Sequence, residues 1–324
     1  MESHVYEFNG IDLLKRFGPA LGVVALLAIA LRVGPRAISA PRPALDVDRT
    51  ILVHQADASR HSQDAALILV GDSSCMMDVD TVRLTGLLHV PSLNLGTLSY
   101  LDFKAHGQLI ANYAAANPGK LKTVVLLLNP EALRRSGADE AYQQWLDDYL
   151  AGHDSGPPAD WNGRLQRTLG LNVFQGRILT KLLPNPLGEP FGAAYGFTWD
   201  LERYLTQHRG SALDPSRKRA TGTPEYSLHR NALTASRHVR EKLPAGARLL
   251  AGITPLPEEF TYPDYAARYE KMLREWNEAL RADQMLSGLP ATLPERFFAT
   301  KTHLTAEGVA EFTRRLASAL AANR

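Results

Sequence analysis

The sequence has a single cysteine, Cys75, among its 324 residues. One cysteine cannot form a disulfide within the chain, so no disulfide framework holds this protein together. A large core does not need disulfides, and their absence therefore leaves the compartment of the protein open. We expect Cys75 to be a small buried residue rather than a catalytic thiol, because Ser73 is a better candidate nucleophile.

The sequence also has little net charge, +2 at pH 7. Binding to nucleic acid requires a concentrated basic surface, so we do not expect nucleic acid as a partner. The densest basic cluster, residues 217–219, is interpreted as a solvated loop. An apolar content of 45% with 22% charged residues is ordinary for a globular protein, and the length allows one large domain or two small ones.

Long apolar runs are scarce, and the clearest one covers residues 17–31. A bilayer core needs roughly 20 apolar residues, with a lower limit near 17. The run reaches that limit if Arg32 snorkels, which predicts a transmembrane anchor over residues 17–33. A cleaved signal peptide and a buried core helix are the alternatives. We favour the anchor, because Pro41 directly follows the most obvious cleavage point.

The rest of the chain predicts an α/β fold. Four short apolar runs are typical of strands that are covered on both faces, namely residues 65–70, 91–95, 123–128 and 247–253. Helical patterns alternate with them over residues 100–116, 139–151, 264–283 and 305–322. This alternation predicts a three-layer arrangement, a parallel sheet flanked by helices, which follows the N-terminal transmembrane helix.

The domain boundaries follow from the same patterns. Residues 1–16 form a tail before the anchor, and residues 34–60 are predicted to be a linker, since their first part is rich in Pro, Arg and Ala. Residues 61–324 form the domain. An insertion over about 155–240 has many Pro, Gly and aromatic residues and no clear strand, and we predict loops and short helices that shape a lid or a groove, or that merely decorate the fold.

The strongest chemical signal is Gly71-Asp72-Ser73, directly after the first predicted strand. Open α/β sheets place their ligands at the carboxyl ends of strands. A serine hydroxyl is a poor nucleophile unless a base removes its proton. We predict that His303 is this base, because it lies just before the last helix, in a loop that can return to the same edge of the sheet.

These segments resemble the four sequence blocks of the SGNH/GDSL hydrolase superfamily, and the flavodoxin-like sheet of that superfamily is the expected fold. Ser73 matches the nucleophile, and His303, followed by Leu-Thr-Ala-Glu-Gly, matches the base. Gly96 and Asn129 match the glycine and asparagine blocks. The resemblance implies an oxyanion hole formed by the amides of Ser73 and Gly96 and the side chain of Asn129.

Two positions depart from the family pattern. The family usually has an aspartate three residues before the histidine, where this chain has Thr300. Either a Ser-His dyad operates, or an acid from elsewhere, such as Glu295, orients the imidazole. Leu127 and Pro130 replace the usual Gly and Asp of the asparagine block.

Asp72 is a further candidate for a supporting role at the site. We interpret it as an acceptor of backbone hydrogen bonds near the nucleophile. No spacing of His, Cys, Asp or Glu predicts a metal site, and no cofactor is expected.

The resemblance implies acyl-ester chemistry. The anchor makes the chain similar to membrane-attached members of the family, the polysaccharide O-acetyltransferases and D-alanine transfer proteins. The expected reaction is O-acyl transfer or ester hydrolysis on an extracytoplasmic polysaccharide or cell-envelope polymer. We expect a single-pass protein of a bacterial inner membrane, facing the periplasm or exterior, with a membrane-bound acyl donor protein as a partner. The alternative is an inactive domain that binds polysaccharide or acts as a scaffold, which Thr300 favours.

Overall fold

The computed structural model describes residues 10–37, 46–99, 101–134, 139–150, 187–218 and 227–322. The chain divides into two units, one of residues 1–45 with 156–185 and one of residues 46–155 with 186–324. In the first unit the described element is helix α1 (Gly10–Ala37). The second unit contains the sheet and all the predicted site residues.

Strands and helices alternate along most of the second unit. Its helices are α2 (Val47–Arg60), α3 (Ser73–Met77), α4 (Thr81–Leu88), α5 (Phe103–Ala116), α6 (Pro130–Arg134), α7 (Glu140–Leu150), α8 (Phe191–Tyr195), α9 (Thr198–Gln207), α10 (Arg230–Glu241), α11 (Tyr265–Leu280) and α12 (Ala306–Ala321), with short 3-10 helices at Glu258–Phe260 and Glu295–Phe297. Its strands are β1 (Leu67–Gly71), β2 (Ser92–Asn94), β3 (Thr123–Leu128), β4 (Arg248–Ile253), β5 (Leu256–Pro257), β6 (Gln284–Met285) and β7 (Thr292–Leu293).

The main sheet has five parallel strands in the order β2-β1-β3-β4-β6. Strands β5 and β7 form a separate parallel pair. The predicted parallel sheet flanked by helices is therefore confirmed, and β1 to β4 lie within two residues of the four predicted strands. The short strands β5, β6 and β7 were not predicted, because two residues are too few to show a pattern.

Side chains of β3 alternate between two cores. Val124 and Leu126 pack in a cluster with residues of α5, α10 and α11, among them the fully buried Trp276. Val125 and Leu127 pack in a second cluster with residues of α4 and α12. Successive side chains of a strand point to opposite faces, so the sheet is covered on both sides and the domain has three layers.

The predicted linker over residues 34–60 is wrong for its second half. Residues 47–60 form α2, which begins after Asp46, whose side chain accepts a hydrogen bond from the amide of Arg49. Ile51 and Leu52 are buried, and the helix packs against α5, α7 and α9. Its apolar positions recur at helical spacing, and this pattern indicates a helix rather than a linker. Residues 38–45 of the predicted linker lie outside the described residues.

The predicted insertion over about 155–240 consists of helices and connecting loops where it is described. It contains α8, α9 and α10, and α10 packs against α5 and α11 as part of the layer that covers the sheet. The C-terminal boundary predicted for the insertion is therefore wrong. Helix α10 belongs to the core of the domain, to which it contributes Ala232 and Val239. Residues 155–186 and 219–226 of the insertion lie outside the described residues.

Helix α1 includes the whole of the predicted anchor over residues 17–33. Among the helices of the described residues, none is long and apolar enough to cross a membrane. The transmembrane part of the predicted fold is therefore not supported. Basic residues flank the apolar run on both sides, so its uncharged part is shorter than a bilayer core.

Candidate active site

The site lies where the strands of the main sheet end. Ser73 follows β1 and Asn129 follows β3, at the edge where parallel strands place their carboxyl ends. The turn from β1 into α3 requires Gly71, which has a φ of 153°. A Cβ atom on Gly71 would lie 1.8 Å from the carbonyl oxygen of Leu127 on β3. The close approach of the two strands thus brings Ser73 and Asn129 to one place.

The structure brings Ser73 and His303 together, although they lie 230 positions apart in the chain. Nε2 of His303 lies 2.9 Å from Oγ of Ser73, which is hydrogen-bonding distance. Ser73 begins α3, and His303 lies in the loop before α12. Both side chains are partly buried, so the pair is shielded while Oγ stays within reach of a ligand.

The other ring nitrogen of His303 is bonded to an acid that the sequence did not reveal. Nδ1 lies 2.6 Å from Oδ2 of Asp214, a side chain that is 7% exposed. An ionised carboxylate only accepts hydrogen bonds, so Nδ1 carries the proton and Nε2 of the neutral ring accepts from the Ser73 hydroxyl. Ser73, His303 and Asp214 thus have the connectivity of a nucleophile, a base and an orienting acid.

The charges of the site shift the pKa of both partners. Burial by itself would lower the pKa of His303, but the hydrogen bond to Asp214 and the nearby carboxylates of Asp78 and Asp72 raise it above its ordinary value. Burial would raise the pKa of Asp214, but the hydrogen bond and charge of His303 hold it below its ordinary value. Each partner therefore stabilises the charged form of the other.

Thr300 and Glu295, the candidates for supporting His303, do not contact its ring. The hydroxyl of Thr300 accepts hydrogen bonds from the amides of Thr302 and His303, at 3.3 and 3.1 Å. Thr300 therefore folds the loop that carries the imidazole. Glu295 lines a separate cavity of about 120 Å³, together with Thr300. Glu295 was a candidate acid for orienting the imidazole, and this prediction is wrong, because Asp214 is the carboxylate bonded to Nδ1.

Asn129 has an amide donor with no protein partner among the described residues. Its Oδ1 accepts a hydrogen bond from the amide of Glu131 at 3.0 Å, which orients the side chain. Its Nδ2 is buried and unpaired, and the residue is 3% exposed. Buried amide groups usually have partners, so an unpaired donor beside Ser73 is free to bind a ligand oxygen.

Gly96 does not offer its amide to the site in this structure. The amide donates a hydrogen bond of 2.8 Å to Oδ1 of Asn94. The position requires glycine for another reason, since a Cβ atom would lie 2.7 Å from the backbone nitrogen of Met76 in α3. The geometry therefore does not support the predicted role of Gly96 in an oxyanion hole, although the match to the glycine block is explained by close packing.

Asp72 accepts the backbone hydrogen bonds that were expected of it. Its Oδ1 receives the amides of Ser74 and Cys75 and the hydroxyl of Ser74, and its Oδ2 receives the amide of Asn129. The Ser74 hydroxyl oxygen in turn accepts a hydrogen bond from the hydroxyl of Thr254, which follows β4. Burial raises the pKa of Asp72 against these hydrogen bonds. Asp72 thus joins the ends of β1 and β3 and holds Ser73 and Asn129 in register.

Cys75 is fully buried, in the cluster that covers one face of the sheet. Burial raises the pKa of its thiol well above the ordinary value. A thiol that stays protonated is a poor nucleophile, so the structure assigns Cys75 to packing, as the sequence predicted.

Ser73, Asn129 and His303 line a cavity of about 410 Å³. This volume lies in the range of sites for small molecules or for one end of a larger ligand. The apolar part of the lining consists of Val47, Ile51, Met77, Leu98 and Phe191. Opposite charges also meet in the lining, where Nζ of Lys301 lies 2.7 Å from Oε1 of Glu131. Helix α2, predicted as a linker, therefore forms part of the site.

Comparisons with known proteins add little to this geometry. No family model matches the sequence, and no curated protein matches it significantly. A solved structure of a Streptococcus pneumonia protein, provisionally named a platelet activating factor, is similar at 12% identity, over 84% of this chain and 92% of that chain, with a TM-score of 0.35. Similarity at this level assigns neither a family nor an activity to this chain.

Proposed function

We propose that this protein is a serine-dependent acyl-ester enzyme of the SGNH type, in which Ser73 is the nucleophile and His303 the general base. The observation that carries the proposal is the hydrogen-bonded series from Ser73 through His303 to Asp214, at 2.9 and 2.6 Å, at the carboxyl edge of a parallel sheet. A serine paired with a neutral imidazole, itself oriented by a buried carboxylate, is the arrangement that activates a hydroxyl.

The reaction begins when Nε2 of His303 removes the proton of the Ser73 hydroxyl as Oγ bonds to the carbonyl carbon of an ester. The carbonyl oxygen becomes an oxyanion, for which Nδ2 of Asn129 and the amide of Ser73 are the proposed donors. The imidazolium then returns its proton to the leaving alcohol as the carbon–oxygen bond breaks. A second hydroxyl then attacks the acyl carbon while His303 removes its proton, and the imidazolium returns that proton to Oγ of Ser73 as the bond between Oγ and the acyl carbon breaks.

The second hydroxyl decides between two activities. Water as the acceptor makes the protein an esterase, and a sugar hydroxyl makes it an O-acyltransferase. From the resemblance, we propose an extracytoplasmic polysaccharide or envelope polymer as the substrate, with a membrane-bound acyl donor protein as a partner. The alternative of an inactive scaffold rested on Thr300, and it loses that basis because Asp214 supplies the acid.

The test is covalent labelling of the full-length protein by a fluorophosphonate probe, which reacts with activated serines. Wild type is compared with Ser73→Ala, His303→Ala and the control Ser99→Ala, which removes another serine of the same cavity. We expect labelling to be lost in the first two variants and kept in the control. Circular dichroism establishes that each variant is folded.

Absence of labelling in folded wild-type protein, or labelling that persists in Ser73→Ala, contradicts the proposal. Labelling of wild type should also fall at low pH, because protonated His303 cannot act as a base. The midpoint should lie above the ordinary pKa of histidine, since the neighbouring carboxylates raise the pKa of His303.

A further inference from the structure

Asp78 is a fully buried acid that no step of the proposed reaction uses. It directly follows α3 and is 0% exposed. Its Oδ1 accepts a hydrogen bond of 2.8 Å from the amide of Leu304. Its Oδ2 has no hydrogen-bond partner within the described part of the chain. A buried carboxyl oxygen without a partner is costly, so its presence needs a reason.

Packing does not supply that reason. Burial raises the pKa of Asp78 to about 8, and the charge of His303 opposes this rise. An asparagine would offer Leu304 the same acceptor without an ionisable group, and an apolar residue would avoid burying a polar one. An acid at this position therefore points to a function near it.

The contact of Asp78 joins the two halves of the candidate site. Helix α3 is five residues long, begins at Ser73 and ends just before Asp78. Leu304 directly follows His303 and is fully buried. The hydrogen bond from Leu304 to Asp78 thus ties the end of the nucleophile's helix to the backbone of the loop that carries the base.

Backbone hydrogen bonds within the His303 loop also fix its shape. The carbonyl oxygen of His303 accepts the amides of Ala299 and Thr300, at 2.9 and 3.2 Å, and Leu304 forms an isolated bridge with Phe298. These bonds shape the loop, but they do not connect it to α3. The Asp78 side chain makes that connection.

We propose that Asp78 is a positioning residue that holds the His303 loop at the correct distance from Ser73. The proposal rests on the proposed function for its catalytic consequence. The placement of the loop and the titration of His303 are properties of the folded protein, and they can be measured without any substrate.

The charged and titratable groups around Asp78 are His303, Asp214, Asp72 and the thiol of Cys75. An ionised Asp78 stabilises the imidazolium form of His303. Replacement by asparagine keeps an acceptor for the Leu304 amide and removes this charge. The pKa of His303 should therefore fall in Asp78→Asn, and the acid limb of activity should move to lower pH.

The experiment measures the rate of fluorophosphonate labelling against pH for wild type, Asp78→Asn and Asp78→Ala. We expect Asp78→Ala to slow labelling by about 100-fold at every pH, because a small misplacement of reacting groups has an effect of that order. Asp78→Asn should keep a rate close to that of wild type, with its acid limb shifted to lower pH.

The matched control is Asp80→Ala. Asp80 lies two residues further on and accepts a hydrogen bond from the amide of Arg83 at the start of α4. The control also removes a carboxylate that accepts a backbone amide, so it measures the cost of local destabilisation. We expect its labelling rate to equal that of wild type. Thermal unfolding and near-ultraviolet circular dichroism identify any variant that does not fold.

The imidazole resonances of His303 provide the second measurement. We expect NMR titration to give a lower pKa for His303 in Asp78→Asn than in wild type. Unchanged labelling in Asp78→Ala, or labelling in Asp78→Asn as slow as in a folded Asp78→Ala, would overturn the positioning role. If wild type is not labelled, the proposed function fails, and imidazole resonances of His303 in Asp78→Ala identical to those of wild type would then overturn the inference separately.

Discussion

His303 uses both of its ring nitrogens, and its two partners come from distant parts of the chain. Ser73 follows the first strand of the sheet, and Asp214 lies in a loop after α9. The carboxylate at Nδ1 selects the tautomer in which Nε2 accepts the serine proton. A histidine bonded in this way has one orientation and one protonation pattern, which a base next to a serine requires.

Asp214→Asn should therefore slow labelling of Ser73 by roughly 10³- to 10⁴-fold, because an amide at this position favours the wrong tautomer of His303. The pKa of His303 should also fall, since a neighbouring negative charge is lost. Labelling rates against pH measure both effects. Asp200→Asn, at a partly exposed carboxylate near the start of α9, is the control. An unchanged rate in Asp214→Asn would mean that Ser73 and His303 act as a dyad.

Asn129→Asp tests the unpaired amide donor. The substitution keeps an oxygen that can accept the amide of Glu131, and it removes Nδ2. We expect labelling to slow by at least about 100-fold, the usual effect of losing one oxyanion donor. Asn129→Ala should behave similarly and excludes an effect of the new charge. A wild-type rate in both variants would remove Asn129 from the site.

At the scale of elements, α5 contains a buried histidine that is remote from this chemistry. His106 is 2% exposed, its Nδ1 has no partner within the described residues, and its ring packs edge-on against Phe103. Burial lowers its pKa to about 4. The folded protein thus keeps His106 neutral at a pH where the unfolded chain protonates it.

The stability of the protein should depend on pH through this residue. Between about pH 6.5 and pH 4 the unfolded chain binds the proton and the folded chain does not, so the free energy of unfolding should fall as the pH is lowered. The contribution of His106 to this fall should be on the order of 3 kcal/mol. In His106→Leu that contribution should be absent, as measured by denaturant unfolding at several pH values.

The exposed His61 serves as the control for this measurement. His61→Gln should unfold with the pH dependence of wild type. Equal pH dependence in His106→Leu and wild type would show that the α5 histidine takes up a proton without unfolding the protein.

At the scale of the whole molecule, all residues of the four buried clusters lie in the second unit, between residues 51 and 320. A chain that begins at residue 46 retains the Asp46 cap of α2 and every one of these residues. We expect this truncated protein to fold cooperatively and to be labelled at Ser73 at the rate of the full-length protein. Thermal unfolding and probe labelling check both points, and loss of either would show that residues 1–45 support the second unit.

Local patterns along the chain were enough to predict the layers of the fold. Apolar runs that end in Gly, Asn-Pro or Thr-Pro predicted β1 to β4, and helical spacing predicted α5, α7, α11 and α12, because these signals lie within one element. The prediction failed for α2, because the Pro-rich residues before it and the helix itself were assigned together to one linker, despite the apolar spacing within the helix. It also failed for the two-residue strands, which are too short to show a periodic pattern.

Local signals also led to Ser73 and His303, which stand beside the end of a strand and the start of a helix, and the resemblance to the asparagine block led to Asn129. Asp214 could not be found in this way. It lies in Leu213-Asp214-Pro215-Ser216, which reads as an ordinary turn, and its carboxylate indeed accepts the amide of Ser216. Nothing within that segment records that it meets a histidine 89 residues later.

Only the tertiary structure decided which groups meet. It directed the Gly96 amide to Asn94, left the Asn129 side-chain amide unpaired, and brought Asp214 to the ring of His303 and Asp78 to the amide of Leu304. The physical reason is the range of the interactions. Backbone periodicity and turns depend on neighbours in the sequence, whereas a hydrogen bond between side chains depends on the packing of elements from distant parts of the chain.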